Sequence, residues 1–393
     1  MRTSSAFDRM MSDTTLGFKS LKSIEKSFSS VKKLTENYPQ RSRVVIIGMG
    51  GSCLGARALV EATIPSTERR RISFLDNIDG KSFGQFLQEF DNPQDTTWVV
   101  ASKSGKSIET LTLYDHCSQY YQKECGFDIA QNTIVVTETK TSPLYDFSQK
   151  VGCPQLEIPE NIGGRYSAFT PVGLLPLSLL CLDPGQALEG CRWGLENLDL
   201  VEQLASELVA SLSLSEYSFY VFAYSNRFTG FNLWLQQLWS ESLAKSVTRQ
   251  GEPGPAVSTM VLCRGVSDQH SILQQIVEGR EKKFICFFRE DSAETHNQVL
   301  EKSHFNNEIL IGKTLGDLMG AEANATRDTL LDKGIRSLTL KTGDLDLKEV
   351  SALMMVWMLT VATVGEALDV NAFNQPGVES GKRLARRVLK ASD

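Results

Sequence analysis

Arg43-Val44-Val45-Ile46-Ile47-Gly48-Met49-Gly50-Gly51-Ser52-Cys53-Leu54-Gly55 decides the fold. Val44 to Ile47 are all β-branched, which suits a strand buried on both faces rather than one with a wet side. The glycines that follow suit a tight strand-to-helix turn, where an unhindered backbone can point N–H groups at an anion over a helix N-terminus. A ligand-free turn accounts for this loop alone about as well. The same order of apolar run, loop and helical interval returns at 71–75, 97–101 and 133–137, then at 218–223, 258–262, 283–288 and 337–341. Helical intervals such as 231–245 and 268–278 separate the later runs. Strands alternating with helices predict parallel sheets, so the chain reads as α/β with two doubly wound parallel-sheet domains, each a three-layer αβα unit.

A chain of 393 residues exceeds what one hydrophobic core commonly serves and suits about two domains. Between the two sets of strands, 151–184 carries Gly163-Gly164, Pro171, Pro176 and Pro184, which interrupt helix and strand alike. The expected division is a helical arm over 1–40, a first domain over 41–185 and a second over 186–393. The uncharged stretch 350–365, bracketed by Glu349 and Glu366, is too short to cross a bilayer and predicts a buried helix.

With 22% charged residues and a net charge of -6, the chain lacks the basic surface that nucleic-acid backbones require. Eight cysteines show no C-x-x-C pair and four histidines no H-E-x-x-H, so neither a metal nor a redox cofactor is expected. The first thirty or so residues lack the apolar block of a signal peptide. Reduced thiols in a cytoplasmic protein, with no membrane partner, are the expectation.

Several stretches carry candidate chemistry. Asp76 ends the second strand as a ribose-binding acid would, yet Cys53 stands where the third glycine of a dinucleotide loop belongs. Ser102-Lys103-Ser104-Gly105-Lys106-Ser107 packs hydroxyls and cations before a helix and suits a phosphate monoester; Val100 removes the P-loop reading, and a serine-rich helix cap with Glu109 is the plain alternative. Gly163-Gly164-Arg165 offers a close-approach backbone and a permanent cation for an oxyanion, or an arginine that simply pairs with a carboxylate between domains. Gln237 and Glu241 lie one helical turn apart on an otherwise apolar helix, where a raised carboxylate suits proton abstraction; an exposed Glu241 paired with Lys245 is the alternative. His270 stands at an expected helix start as a proton shuttle or a mere cap. Lys382 follows the Pro376-Gly377 turn and reaches either a ligand or solvent.

From Arg43 to Arg387 the order and wording of these motifs resemble the glucose-6-phosphate isomerase family. Most specific are Glu160-Asn161-Ile162-Gly163-Gly164-Arg165-Tyr166-Ser167 and the stretch from Gly365 through Phe373-Asn374-Gln375-Pro376-Gly377-Val378-Glu379 to Lys382. The resemblance implies two sugar-isomerase (SIS) domains and cofactor-free isomerisation of glucose 6-phosphate and fructose 6-phosphate through a cis-enediolate, in glycolysis and gluconeogenesis. It implies that His270 and Lys382 open the sugar ring, that Glu241 moves the proton between C2 and C1, and that Arg165 stabilises the enediolate. Ser102, Lys103, Ser104 and Ser107 would hold the phosphate, and Gly51, Ser52, Gly164, Gln237 and Gln375 the sugar. It further implies a homodimer in which His270 comes from the partner chain. Leu243-Ala244 replaces an Asn-Gly common in the family, and Lys106 a threonine. A dual-specificity enzyme acting also on mannose 6-phosphate, a sugar-phosphate sensor and a nicotinamide-dependent dehydrogenase are the rival readings; Gln237 argues for glucose.

Overall fold

The computed structural model describes residues 3–65, 67–290, 298–305 and 307–391. Two helices, α1 (Thr3–Ser12) and α2 (Leu21–Thr35), precede a sheet built from β1 (Arg43–Ile47), β2 (Ile72–Leu75), β3 (Thr96–Ala101), β4 (Thr133–Thr137) and β5 (Gln155–Glu157). Between and after these strands run α3 (Leu54–Thr63), α4 (Gly80–Glu89), α5 (Ile108–Cys125), α6 (Pro143–Val151), α7 (Pro171–Leu179), α8 (Pro184–Glu196) and α9 (Leu198–Ser213). The second sheet holds β6 (Ser218–Tyr224), β7 (Thr259–Arg264), β8 (Lys283–Glu290) and β9 (Arg336–Thr342), with α10 (Thr229–Leu243), α11 (Leu273–Glu278), α12 (Leu315–Asp332), α13 (Leu347–Ala367) and α14 (Glu379–Ala391).

Both sheets are parallel, in the orders β2-β1-β3-β4-β5 and β7-β6-β8-β9. Each begins at an inner strand, runs outward on one side and crosses back to the other, which is the doubly wound pattern expected. Side-chain alternation splits every central strand between two cores. Val45, Ile47, Trp98, Val100 and Val135 meet Phe86 of α4 and Leu113 of α5, whereas Val44, Ile46, Val99 and Ile134 face the opposite side with Leu59 of α3 and Leu174 of α7. In the second sheet Phe222 and Phe287 meet Ile276 of α11 and Leu330 of α12. Phe219, Val221 and Phe288 turn the other way and join α10 and α13 in the same buried cluster that serves the first sheet. The layer between the sheets is therefore shared, with α3 packed along α10. Apolar as it is, α13 lies in this core, 94% buried over its most hydrophobic window, and it contains the buried helix expected at 350–365.

Three local expectations are corrected. The helix expected over 231–245 ends at Leu243, because Ala244 leaves helical geometry (φ -74°, ψ 95°) and turns the chain. The interval expected over 268–278 divides into a 3-10 turn, Ser267–His270, and the short α11. The broken stretch 151–184 holds β5, a 3-10 turn at Gly164–Phe169 and α7, which starts with Pro171 at its first position behind a Thr170 cap. The N-terminal segment docks through Met10 of α1, Phe18 of the 3-10 turn Gly17–Lys19, and Ile24 and Val31 of α2, all buried in the shared core.

Candidate active site

Strand order reverses between β1 and β3, and in open α/β sheets the carboxyl ends of the strands at such a point are where ligands bind. The β1 loop makes an approach that only glycine permits. Gly50 has φ +52°, and a Cβ on it would stand 2.8 Å from the Gln237 amide nitrogen. A Cβ on Gly51 would lie 2.3 Å from the carbonyl carbon of Gly164 and 2.7 Å from the Arg165 nitrogen. Ser167 fastens this contact, donating to the carbonyls of Gly164 (2.6 Å) and Gly51 (3.1 Å). Ser52 closes the 3-10 turn Gly50–Ser52 that leads into α3.

Arg165 is the centre of the arrangement. Its side chain is 1% exposed, and every guanidinium nitrogen has a partner. Nε donates to Ser242 Oγ (2.8 Å), Nη1 to Glu241 Oε2 (3.2 Å) and Gln375 Oε1 (2.6 Å), and Nη2 to the carbonyls of Ala372 (2.7 Å) and Asn374 (2.8 Å). Burial lowers its pKa from the ordinary value, although the Tyr166 and Glu241 charges oppose that shift. Tyr166 packs between Phe18 and Phe373, with ring centroids 4.7 and 5.2 Å away. Its hydroxyl, pushed up to about 12 by burial, meets Ser242 Oγ at 3.2 Å. The N-terminal segment thus supports the arginine from behind.

Glu241 sits near the C-terminal end of α10. Its carboxylate lies between the Arg165 guanidinium and the Gln237 amide, which donates to Oε1 at 3.1 Å. This is not the apolar setting expected for it: the side chain is 30% exposed and its neighbours are polar. Gln237 Oε1 is buried and accepts no hydrogen bond. The expected alternative, a Glu241–Lys245 ion pair, is replaced by another contact. Lys245 lies beyond the helix end and donates to the main-chain carbonyls of Glu241 and of Asn374 (2.6 Å to the latter).

In the β3 loop Gly105 has φ +62°, and a Cβ there would stand 2.1 Å from Ser142 Oγ. Ser107 occupies the N-cap of α5 without capping it through its side chain; its hydroxyl meets buried Ser102 at 3.1 Å instead. Ser104 accepts from the Lys106 N–H (3.3 Å). Lys103 is turned aside, to Glu138 (3.4 Å) and the Glu160 carbonyl (3.0 Å). Lys382 is exposed on α14. One turn on, Arg386 donates to the Lys106 carbonyl (3.4 Å) and lays that helix against the loop.

His270 ends the exposed 3-10 turn after β7. None of the described hydrogen bonds joins it to the Arg165–Glu241 cluster. Asp76 is engaged by Arg57 at 2.9 Å, so the acid that suggested a ribose serves an ion pair. Among the described residues no three His, Cys, Asp or Glu side chains gather as metal ligands would. The cluster therefore unites Gly51, Gly164, Arg165, Gln237, Glu241 and Gln375, whereas Lys382 lies on the helix set against the serine loop and no described hydrogen bond ties His270 to the cluster. Sequence reasoning missed Ser242, Tyr166 and the Ala372 and Asn374 carbonyls, for which only adjacency to Glu241, Arg165 and Gln375 offered a signal.

A family model described as phosphoglucose isomerase matches residues 8–393. A glucose-6-phosphate isomerase of Thermus thermophilus is 34% identical over 383 residues, spanning 95% of this chain and 90% of its own. A solved structure of a hypothetical protein from the same organism superposes with a TM-score of 0.88 at 33% identity, covering 98% of this chain and 94% of that one. A glucose-6-phosphate isomerase structure from Chlamydia trachomatis gives a TM-score of 0.78 at 24% identity, covering 94% of this chain and 74% of that one, and shares the fold.

Proposed function

The chain belongs to the phosphoglucose isomerase family, and on that premise we propose that it interconverts glucose 6-phosphate and fructose 6-phosphate with Glu241 as the base. The observation that carries this reading is the grip on one carboxylate by a permanent cation and an amide, Arg165 and Gln237, beside a glycine loop whose backbone packs against both segments. Glu241 takes the proton from C2 of the open-chain aldose and returns it at C1. As it does so the carboxylate becomes neutral and the negative charge moves to the enediolate oxygens. Arg165, held by carbonyls and unable to follow the proton, keeps its charge next to the new anion; a preorganised cation of this kind costs no reorganisation during reaction. The uncapped N-terminus of α5 and the hydroxyls of Ser102, Ser104 and Ser107 suit the phosphate, with Lys103 adding positive charge at the rim. The unpaired Gln237 Oε1 suits a sugar hydroxyl, with Gly51, Ser52, Gly164 and Gln375 lining the ring.

His270, assisted by Lys382, opens the ring, and because His270 lies outside the cluster of its own chain it acts in the partner's site of a homodimer. The arm over 1–40 and the units 41–185 and 186–393 then form one protomer of a cytoplasmic enzyme.

Proton NMR with fructose 6-phosphate in D2O tests the base. Glucose 6-phosphate should appear with deuterium at C2, and Glu241→Gln should lower kcat by about 10³-fold or more; absence of turnover by folded protein overturns the proposal. Subunit mixing tests the shared site. Glu241→Gln and His270→Ala proteins, each inactive, should regain up to about a quarter of wild-type activity after co-refolding, since half of the dimers are hybrids with one intact site of two. No recovery in verified hybrid dimers would return His270 to its own chain.

A further inference from the structure

Lys245, beside this cluster, is an ionisable group that the proton-transfer scheme leaves without a task. The end of α10 explains its position. Residue 245 stands where its main-chain N–H would continue the helix by bonding to the Glu241 carbonyl, but Ala244 has already left helical geometry. That carbonyl is one of those a helix end cannot satisfy internally. The Lys245 ammonium folds back and satisfies it, and a cation at a helix C-terminus is also favoured by the helix dipole.

The same ammonium reaches the Asn374 carbonyl at 2.6 Å, an oxygen that already accepts from Arg165 Nη2 at 2.8 Å. Two cations thus converge on one oxygen. The next residue is Gln375, whose side-chain oxygen takes Arg165 Nη1 at 2.6 Å. Lys245 therefore links the backbone of Glu241 to the turn that presents Gln375, and it shares with Arg165 the work of holding that turn.

We propose that Lys245 is a positioning residue of the isomerase: by bridging the main chain at Glu241 and Asn374 it sets the distance between the carboxylate and the Gln375 turn, and it helps Arg165 hold that turn in place. This rests on the reading of Glu241 as the base. The arrangement is costly for a lysine. Burial and, second, the Arg165 charge lower its pKa to about 8, against which the Glu241 carboxylate works. Those two are the charged groups acting on it; the 371–375 turn contributes main-chain carbonyls.

The phosphate loop lies on other elements, so loss of the bridge should fall on proton transfer more than on binding. Misplacement of a base by about 1 Å costs on the order of 100-fold. The experiment measures kcat, KM for fructose 6-phosphate and thermal midpoint for wild type, Lys245→Met and Lys245→Arg from pH 6 to pH 10. Lys245→Met should lose about 10- to 100-fold in kcat with KM changed less than about threefold. Lys245→Arg, which can donate to both carbonyls at any pH used, should recover kcat to within about fivefold of wild type. Wild-type kcat should decline above about pH 8, and Lys245→Arg should hold its rate to pH 10. The proposal is overturned if Lys245→Met keeps kcat within twofold, or if Lys245→Arg stays as slow as Lys245→Met. An alkaline decline in Lys245→Arg that matches wild type also overturns it. An inactive, folded wild type would instead remove the isomerase reading itself, so the two failures are distinct.

Discussion

The two sheets share a winding pattern, yet the loops at their switch points are filled differently. Beyond β1 and β3 stand glycines and serines, with Gly51 pressed against Gly164 and Ser102 facing Ser107. Beyond β6 and β8 stands an arginine. Arg227 donates through Nε to the Ala62 carbonyl of α3 (2.7 Å) and through Nη2 to the Leu345 carbonyl (2.7 Å), and it pairs with Glu290. It stitches the second sheet to the first half of the chain and to the connection before α13. One winding thus carries a glycine-to-glycine contact in one place and an arginine joint in the other. The difference lies in the loops, where function resides on a shared scaffold.

Arg165 and Arg227 make this comparison testable, since both grip carbonyls and a carboxylate. Arg165→Lys should lower kcat by about 10²- to 10³-fold, because a lysine cannot reproduce the fork that faces Glu241. Arg227→Lys should leave kcat within about threefold and instead lower stability by about 1–3 kcal/mol through unpaired carbonyls, read from denaturant unfolding. Equal losses of activity in both variants would show that Arg165, too, is only a stitch.

The glycine contact allows a smaller perturbation of the same site. In Gly51→Ala the new methyl would fall 2.3 Å from main-chain carbon at Gly164, so the backbone must shift. A loss of about tenfold in kcat is expected, with a lower thermal midpoint. Gly80→Ala meets nothing within 4 Å and serves as the control, with kcat unchanged.

The smallest effect is on stability and concerns Lys245, whose pKa is lowered from 10.5 to about 8 in the folded protein. Below about pH 8 both states carry the proton and the folded state bears the full cost of burying it. Between about pH 8 and 10.5 the unfolded chain still holds that proton and the folded one has released it, so stability rises with pH. Wild type should therefore gain thermal midpoint relative to Lys245→Met across that window, and a flat difference would refute it.

Much of this architecture could be read before any coordinates. The run Val44-Val45-Ile46-Ile47 is buried on both faces, and its repetition placed eight of the strands and the winding of both sheets. β5 escaped because three residues carry too little alternation to register. The pairing of Gln237 with Glu241 followed from helical spacing, and Gly163-Gly164 announced a close approach. The end of α10 was misread because its apolar pattern runs through Leu243 without a breaker.

Residue type and spacing act along the chain, so the sequence by itself determined the strands, the helix faces and the glycines needed for tight turns. What holds Arg165 acts across it. Ala372 and Asn374 contribute through main-chain carbonyls that every residue possesses, and Ser242 matters because α10 packs where the arginine ends. Only the tertiary structure could assign these partners. A buried guanidinium must satisfy its donors with whatever oxygens packing brings within reach, and here packing joins it to segments 76 to 210 residues away.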